Sequence, residues 1–375
     1  MLRGVNPPKM NHRCLYAINY ILHQQLKNTR QQYNIFQSSF STQMTPPPEK
    51  AAVFIDTDAG FDDVLAISSL LNANNPKISV PFISTVGGIQ ECPHRASRFL
   101  DTIYPSTKVV AGLSSFQQDA KDGVPNWLLE YRTKLDGILL PLEIPSTTFN
   151  KNEDVTLELH TSLQQTLQQY PDQSVDLLCL GPLTNVASWI NDEATLSILD
   201  CKLKNIYIMG GHTPDTSYNN NNNTTDEAEF NFAQDPKAVH TVLTNPILRK
   251  RIILVTAQAC TKNTIDAKEW NDIVNKSQKD GRGILSKVFK VEPCQNIFKY
   301  DPVAAFVLAN SSNSNNLVAM KSMDVIIDQE TGSLRAASSK NDDSDSVSIK
   351  IVDEVKIDSE YTAFINDGIV NDPPI

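Results

Sequence analysis

From about residue 50 onwards, short apolar runs alternate with longer amphipathic stretches. The clearest run is Val53–Ile55, where β-branched and aromatic residues suit a strand that is buried on both faces of a parallel sheet. Further runs cover 79–86, 175–180, 205–209 and 252–256, most of them end at glycine, and helical patterns lie between them. The pattern predicts an α/β fold with an open, mostly parallel central sheet that is flanked by helices.

The last part of the chain has a different pattern. Met323–Asp328 and Val347–Val355 alternate between apolar and polar residues, and the polar stretch 338–346 lies between them. Alternation with a period of two indicates strands with one solvated face. We therefore predict an antiparallel hairpin after the parallel part of the sheet.

Four carboxylates follow the first strand within eight residues: Asp56, Asp58, Asp62 and Asp63, with Gly60 between the pairs. A helical apolar pattern then begins, so these acids lie at the carboxyl edge of the predicted sheet, where open α/β folds bind ligands. Carboxylates this close repel each other, and a hard cation such as Ca²⁺ would remove that repulsion. The alternatives are an Asp-rich surface turn, or an aspartyl-nucleophile phosphatase, whose motif does not require the second acidic pair.

Several motifs resemble, in order, those of the inosine–uridine-preferring nucleoside hydrolases. Ala59 stands where that family usually has proline. The blocks are DTDAGFDD (56–63), TVGG (85–88), LGPLTNVA (180–187), IMGG (208–211), AEFNFAQDPKA (228–238) and YDPVAA (300–305). The resemblance implies hydrolysis of the N-glycosidic bond of a ribonucleoside to free base and ribose. It also implies a single nucleoside hydrolase-like domain over residues 49–375, and a homodimer or homotetramer.

The resemblance further implies a role for each matched residue. Asp58, Asp63, Asp301 and the backbone carbonyl of Thr184 would bind Ca²⁺, and Asp58 would also be the general base. The residues that would hold the ribose hydroxyls are Asp62, Asn223, Glu229 and Asn231. Each has a purely structural alternative, because such residues commonly cap or begin helices.

Four positions depart from the family pattern, and three of them lie on the side of the leaving base. Tyr300 replaces a histidine, Ile89 replaces an asparagine, Glu130-Tyr131 replaces a His-Gly pair, and Ala257 replaces a second histidine. These changes predict an altered leaving-group pocket in which Tyr300 or His212 acts as the acid. They also leave open a degenerate member that binds a ribosyl ligand or partner without turnover.

The first 48 residues have a composition unlike that of the remainder. They contain five Lys or Arg and no Asp or Glu, which is typical of a mitochondrial transit peptide but also of a disordered tail. The prediction is therefore mitochondrial if this leader is a transit peptide, and cytoplasmic otherwise. The net charge of −10 argues against nucleic acid or an anionic membrane as a partner, and the chain has no apolar run of about 18 residues.

Overall fold

The computed structural model describes residues 50–71, 77–90, 92–114, 126–139, 152–214, 228–261, 268, 271–272, 275, 300–311, 317–337, 345–356 and 359–370. The leader predicted at 1–48 and the predicted ribose ligand Asn223 lie outside these residues. Both therefore stay predictions from the sequence.

The described part of the chain is built on one sheet of nine strands, in the spatial order β3-β2-β1-β4-β5-β6-β9-β7-β8. Strands β1 to β6 are parallel, β9 adds to β6 in parallel, and β7 is antiparallel to both β9 and β8. The strands are β1 (Ala51–Thr57), β2 (Ile78–Thr85), β3 (Lys108–Ala111), β4 (Val175–Cys179), β5 (Leu203–Met209), β6 (Ile252–Val255), β7 (Val318–Ile327), β8 (Leu334–Ala336) and β9 (Val347–Val355).

Helices cover both faces of this sheet, and a 3₁₀ turn at Arg249–Arg251 precedes β6. The described helices are α1 (Phe61–Leu71), α2 (Pro93–Ile103), α3 (Asn126–Leu139), α4 (Asn152–Leu167), α5 (Thr184–Asn191), α6 (Glu193–Lys202), α7 (Phe230–Gln234), α8 (Pro236–Thr244), α9 (Ala257–Thr261), α10 (Asp301–Asn310) and α11 (Ser359–Val370). Within the described residues, no helix is both long and apolar enough to cross a membrane.

The predicted fold class is confirmed, including the late antiparallel strands β7 and β9. The sequence pattern did not predict β3 and β8, which have only four and three residues. A strand this short carries too few positions for a period of two to be visible. Both lie at the edges of the sheet, where each pairs with a single neighbouring strand.

Strand β1 is buried on both faces, as its composition predicts. Val53 and Ile55 pack into the core beneath α1, α10 and α11, whereas Ala52 and Phe54 pack into the core beneath α4, α5 and α8. The Phe54 ring also stacks on Phe82 of the neighbouring strand, with centroids 5.3 Å apart. Because the first strand is fixed from every side, the residues that follow it have a rigid base.

Helix α1 is held on the sheet by α10 and α11. Gly368 of α11 lies against Ser69 of α1 so closely that an added Cβ would be 2.6 Å from the Ser69 Cα and would overlap its hydroxyl. The two backbones therefore meet without room for a side chain. This contact fixes the helix whose first turn carries Asp62 and Asp63.

We expect Gly368→Ala to lower the free energy of unfolding by about 1–3 kcal/mol, because overpacking pushes α11 away from α1. The measurement is chemical denaturation followed by circular dichroism. Ala363→Ser on the exposed side of the same helix should change stability by less than about 0.5 kcal/mol. Equal stability of Gly368→Ala and the unmodified protein would contradict this account of the helix pair.

Candidate active site

The four acids of the first loop lie at the carboxyl end of β1 and in the first turn of α1. Asp58 and Asp63 are buried, and Asp62 is partly exposed. The Ile89 N–H donates to Asp58 Oδ2 at 2.9 Å, and the Gly60 N–H donates to Asp63 Oδ2 at 3.0 Å. Thr57 also donates its hydroxyl to Asp63 Oδ1. Backbone amides and a neighbouring hydroxyl thus orient two carboxylates towards the same space.

Asp301 reaches this space from far along the chain, as the first residue of α10. Carboxylate oxygens of Asp62, Asp63 and Asp301 lie within 4.8 Å of one another. Oxygens that bind one Ca²⁺ at about 2.3–2.6 Å are separated by up to about 5 Å, so this spacing is compatible with a shared ion. The donors in this group are carboxylate oxygens, the ligand type that hard cations prefer.

The electrostatics of the cluster also fit a cation. Burial raises the pKa of Asp58 well above its usual value, and the Asp63 carboxylate raises it further. Burial and the adjacent Asp62 charge raise the pKa of Asp63 to about 6, although hydrogen bonds from Asp301 and Thr57 oppose the shift. The pKa of Asp301 is raised by burial and then by Asp63 and Asp62. A bound cation would remove this repulsion and favour the ionised carboxylates.

Asp56 lies beneath the cluster as a support that the sequence motif did not explain. Its Oδ1 accepts hydrogen bonds from Ser84 at 2.6 Å and from Asn185 at 2.7 Å. Asn185 also donates to the Thr85 carbonyl at 3.0 Å and so ties β1, β2 and α5 together. Burial raises the pKa of Asp56 to about 7. The position of Asn185 in the LGPLTNVA block was the only sequence signal for this support.

The turn between the acidic pairs has an unusual backbone. Ala59 adopts φ = 58°, in the left-handed region, and its N–H donates to the Thr57 hydroxyl at 3.1 Å. Proline fixes φ near −65° and has no N–H, so it could do neither in this conformation. The replacement of the family's usual proline by Ala59 is therefore coupled to the turn that this chain adopts.

Glu229 and Asn231 contact the carboxyl ends of β4 and β5. These two strands follow β1, which carries the acidic cluster, in the order of the sheet. Glu229 caps α7 and accepts N–H groups of Gly211 (3.0 Å), Asn231 (3.0 Å) and Phe232 (3.3 Å). The Asn231 Nδ2 group donates to the Leu180 carbonyl at 3.0 Å. The capping role considered for Glu229 is therefore present. Its carboxylate is nevertheless held at the same edge of the sheet as the acids.

Thr184, whose backbone carbonyl is a predicted Ca²⁺ ligand, makes its side-chain contact away from the acids. It begins α5, and its hydroxyl donates to Asp235 at 2.7 Å rather than capping the helix. It lines a separate cleft of about 930 Å³ that contains none of the four acids. The backbone that contacts the acidic turn at the end of β4 is that of residues before Thr184. Leu180 donates to the Asp56 carbonyl at 2.7 Å, and Gly181 packs on Asp58.

Tyr300 and His212, the two candidates for a leaving-group acid, lie at the same sheet edge. The pKa of Tyr300 is raised by burial and by the nearby Cys260, Asp62 and Glu229, so its hydroxyl is close to the acids but holds its proton tightly. His212 follows β5, its Nδ1 lies 3.1 Å from the Gln258 amide nitrogen, and burial lowers its pKa. Neither group is tuned towards donation at neutral pH by the described residues.

Comparisons with known proteins agree on one family. The family model "Inosine-uridine preferring nucleoside hydrolase" matches residues 53–361. Uridine nucleosidase 1 of Arabidopsis thaliana is 29% identical over 197 residues, which are 52% of this chain and 53% of that protein. The pyrimidine-specific ribonucleoside hydrolase RihB of Escherichia coli is 28% identical over 225 residues, 58% of this chain and 64% of that protein. The chain thus matches less than two thirds of the length of either relative.

Solved structures show the same fold at lower identity. An inosine-uridine preferring nucleoside hydrolase from Bacillus anthracis superposes with a TM-score of 0.60 at 21% identity, over 85% of this chain and 99% of that one. A purine-preferring ribonucleoside hydrolase from Gardnerella vaginalis gives a TM-score of 0.57 at 18% identity, over 85% of this chain and 98% of that one.

Proposed function

Because this chain belongs to the inosine-uridine preferring nucleoside hydrolase family, we propose that it hydrolyses the N-glycosidic bond of ribonucleosides to free base and ribose. The observation that carries the proposal is the cluster of Asp62, Asp63 and Asp301 carboxylates at the carboxyl edge of the sheet, with Asp58 next to Asp63. Uridine is the substrate that the name of the Arabidopsis relative gives, so pyrimidine nucleosides are the first substrates to test.

We propose Ca²⁺ as the cofactor, held by the carboxylates of Asp58, Asp63 and Asp301. When bound, the ion supplies positive charge that neutralises the cluster and acidifies a coordinated water. The backbone carbonyl of Thr184 is the predicted remaining ligand, and a carbonyl at the end of β4, where Gly181 packs on Asp58, is the alternative. Asp62 lies close enough to the cluster to add a further oxygen or to bind a sugar hydroxyl.

In this proposal, Asp58 accepts the proton of the attacking water. Its carboxylate is buried and fixed by the Ile89 N–H, so it does not need to reorient before proton transfer. Asp62, Glu229, Asn231 and Asn223 hold the ribose and orient its anomeric carbon towards that water. Fixed hydrogen bonds to the hydroxyls also favour the oxocarbenium-like transition state.

The deciding experiment measures free ribose released by the full chain from a panel of purine and pyrimidine nucleosides, with Ca²⁺ and with a chelator. We expect Ca²⁺-dependent release, and the preferred nucleoside will identify the base. Folded protein that binds Ca²⁺ but releases no ribose from any nucleoside would reject hydrolysis. It would instead indicate a family member that binds a ribosyl ligand or partner without turnover. Ile89 and the replaced histidines leave that alternative open.

Tyr300→Phe tests the leaving-group side of the pocket. If Tyr300 donates a proton or a hydrogen bond to the departing base, removing only its hydroxyl should lower kcat by about 10-fold to 100-fold. The measurement is steady-state release of the base, with His212→Gln as the parallel variant. An unchanged rate in Tyr300→Phe together with a loss in His212→Gln would assign the role to His212.

Gly88→Ala tests whether the position of Asp58 matters for catalysis. A Cβ on Gly88 would overlap Asp58 Oδ2 and would lie 2.8 Å from the Asp58 Cβ. Displacing the carboxylate by about 1 Å to relieve this overlap should lower kcat by about 100-fold. In an Asp58→Asn background the same change should lower kcat little further. Additive losses would show that Gly88→Ala acts elsewhere.

A further inference from the structure

Arg132 of α3 makes a forked contact with the loop that follows β2. Its Nη2 donates to the Gly88 carbonyl at 2.9 Å, and its Nε donates to the Ile89 carbonyl at 2.8 Å. The planar guanidinium presents these two donors in a fixed geometry that matches two successive carbonyls. None of the sequence motifs that indicated the active site includes this residue.

The same two peptide groups bind Asp58 on their other side. The Gly88–Ile89 peptide accepts from Arg132 and donates its N–H to Asp58 Oδ2 at 2.9 Å. The Ile89–Gln90 peptide accepts from Arg132 and donates its N–H to the Asp58 carbonyl at 3.3 Å. Because a trans peptide is rigid and carries its donor and acceptor on opposite sides, each peptide links the guanidinium to Asp58. Hydrogen bonds in series also polarise and strengthen one another.

The residue before Arg132 fixes α3 to the other side of the acidic turn. The Tyr131 hydroxyl accepts the Phe61 N–H at 2.8 Å, and the two rings pack edge to face with centroids 5.0 Å apart. Phe61 begins α1, directly before Asp62. Adjacent residues of α3 thus contact both the loop that holds Asp58 and the helix that presents Asp62 and Asp63.

We propose that Arg132 is a positioning residue for Asp58 and that it acts through the two peptide groups of the Gly88–Gln90 loop. The inference rests on the proposed nucleoside hydrolysis for its catalytic consequence. Without the fork, the loop loses its attachment to α3, and the Ile89 N–H no longer holds the Asp58 carboxylate in one rotamer. Lysine cannot replace arginine here, because one ammonium group cannot reproduce the planar pair of donors.

The test compares Arg132→Lys and Arg132→Ala with the full-length protein, and Arg335→Ala serves as the control because Arg335 is an exposed arginine on β8. We expect kcat to fall by about 10-fold to 100-fold in both Arg132 variants, with KM changing much less. Guanidinium ion at millimolar concentration should restore part of the activity of Arg132→Ala. Methylammonium should not, because it lacks the fork.

Two further readouts do not depend on turnover. Amide hydrogen exchange at Ile89 and Gln90 should accelerate by about 10-fold or more in the metal-free Arg132 variants, and Ca²⁺ affinity measured by calorimetry should weaken by about 10-fold. Unchanged exchange and affinity, or a loss of activity that guanidinium does not rescue, would overturn the positioning role. If the unmodified protein releases no ribose at all, the proposed function fails, whereas exchange and affinity still decide whether Arg132 positions Asp58.

Discussion

Asp58→Asn is expected to lower kcat for nucleoside hydrolysis by about 10³-fold. The amide has nearly the shape of the carboxylate, but it cannot accept the proton of the attacking water at neutral pH. It also removes one negative charge from the proposed Ca²⁺ site. The measurement is ribose release at saturating nucleoside and saturating Ca²⁺, so that weakened metal binding does not mask the effect on the chemical step.

A matched control for this variant is Asp200→Asn, an exposed Asp that pairs with Arg251 at 2.7 Å. It should retain full activity, because its ion pair lies at the surface and contributes little. Metal-free Asp58→Asn should be at least as stable as the unmodified protein, since one charge leaves a buried cluster of like charges. Activity within a few-fold of the unmodified protein would exclude Asp58 as the base.

The second large effect is on stability, as a joint function of pH and Ca²⁺. Folding raises the pKa of Asp56 to about 7 and of Asp63 to about 6, from an ordinary 3.8, and also raises those of Asp58 and Asp301. The folded protein therefore binds more protons than the unfolded chain between about pH 4 and pH 7. The stabilisation by these groups is fully present below pH 3.8 and is lost as the pH rises through that window.

Ca²⁺ should reverse this loss because it binds the ionised carboxylates. At a concentration of about 1,000 times its Kd, a ligand stabilises the folded state by about 4 kcal/mol. For a domain of this size, that corresponds to an increase in Tm of about 6 °C. We expect this increase at pH 7.5 and a much smaller one at pH 5, measured by differential scanning calorimetry.

Two partly buried histidines produce a pH dependence of the opposite sign. Burial lowers the pKa values of His94 and His160, so their contribution to stability is lost as the pH falls below about 6.5. Asp63→Asn keeps both histidines but weakens the acid cluster, so the difference between this variant and the unmodified protein isolates the carboxylates. A Ca²⁺-induced increase in Tm that is equal at pH 5 and pH 7.5 would contradict the assignment.

The local pattern of the sequence was sufficient for much of this protein. Three apolar residues without a polar break predicted a strand that is buried on both sides, and β1 is such a strand. Strand-end glycines and the acidic turn placed the candidate site at the carboxyl edge of a parallel sheet. Each of these features is set within a few consecutive residues. Side-chain size, backbone freedom and the burial of a strand are properties of neighbouring positions in the chain.

Contacts between distant segments were decided only by the tertiary structure. The packing of α10 on α1 brings Asp301 to Asp62 and Asp63, and the Thr184 side chain lines a separate cleft although Thr184 belongs to a matching motif. The fork of Arg132 onto the loop that holds Asp58 has no pattern in the sequence at all. The sequence by itself indicated seven of the nine strands, their alternation with helices and the carboxylate-rich turn. The packing of helices on the sheet determined which side chains meet, because a hydrogen bond requires a precise distance that residue order does not specify.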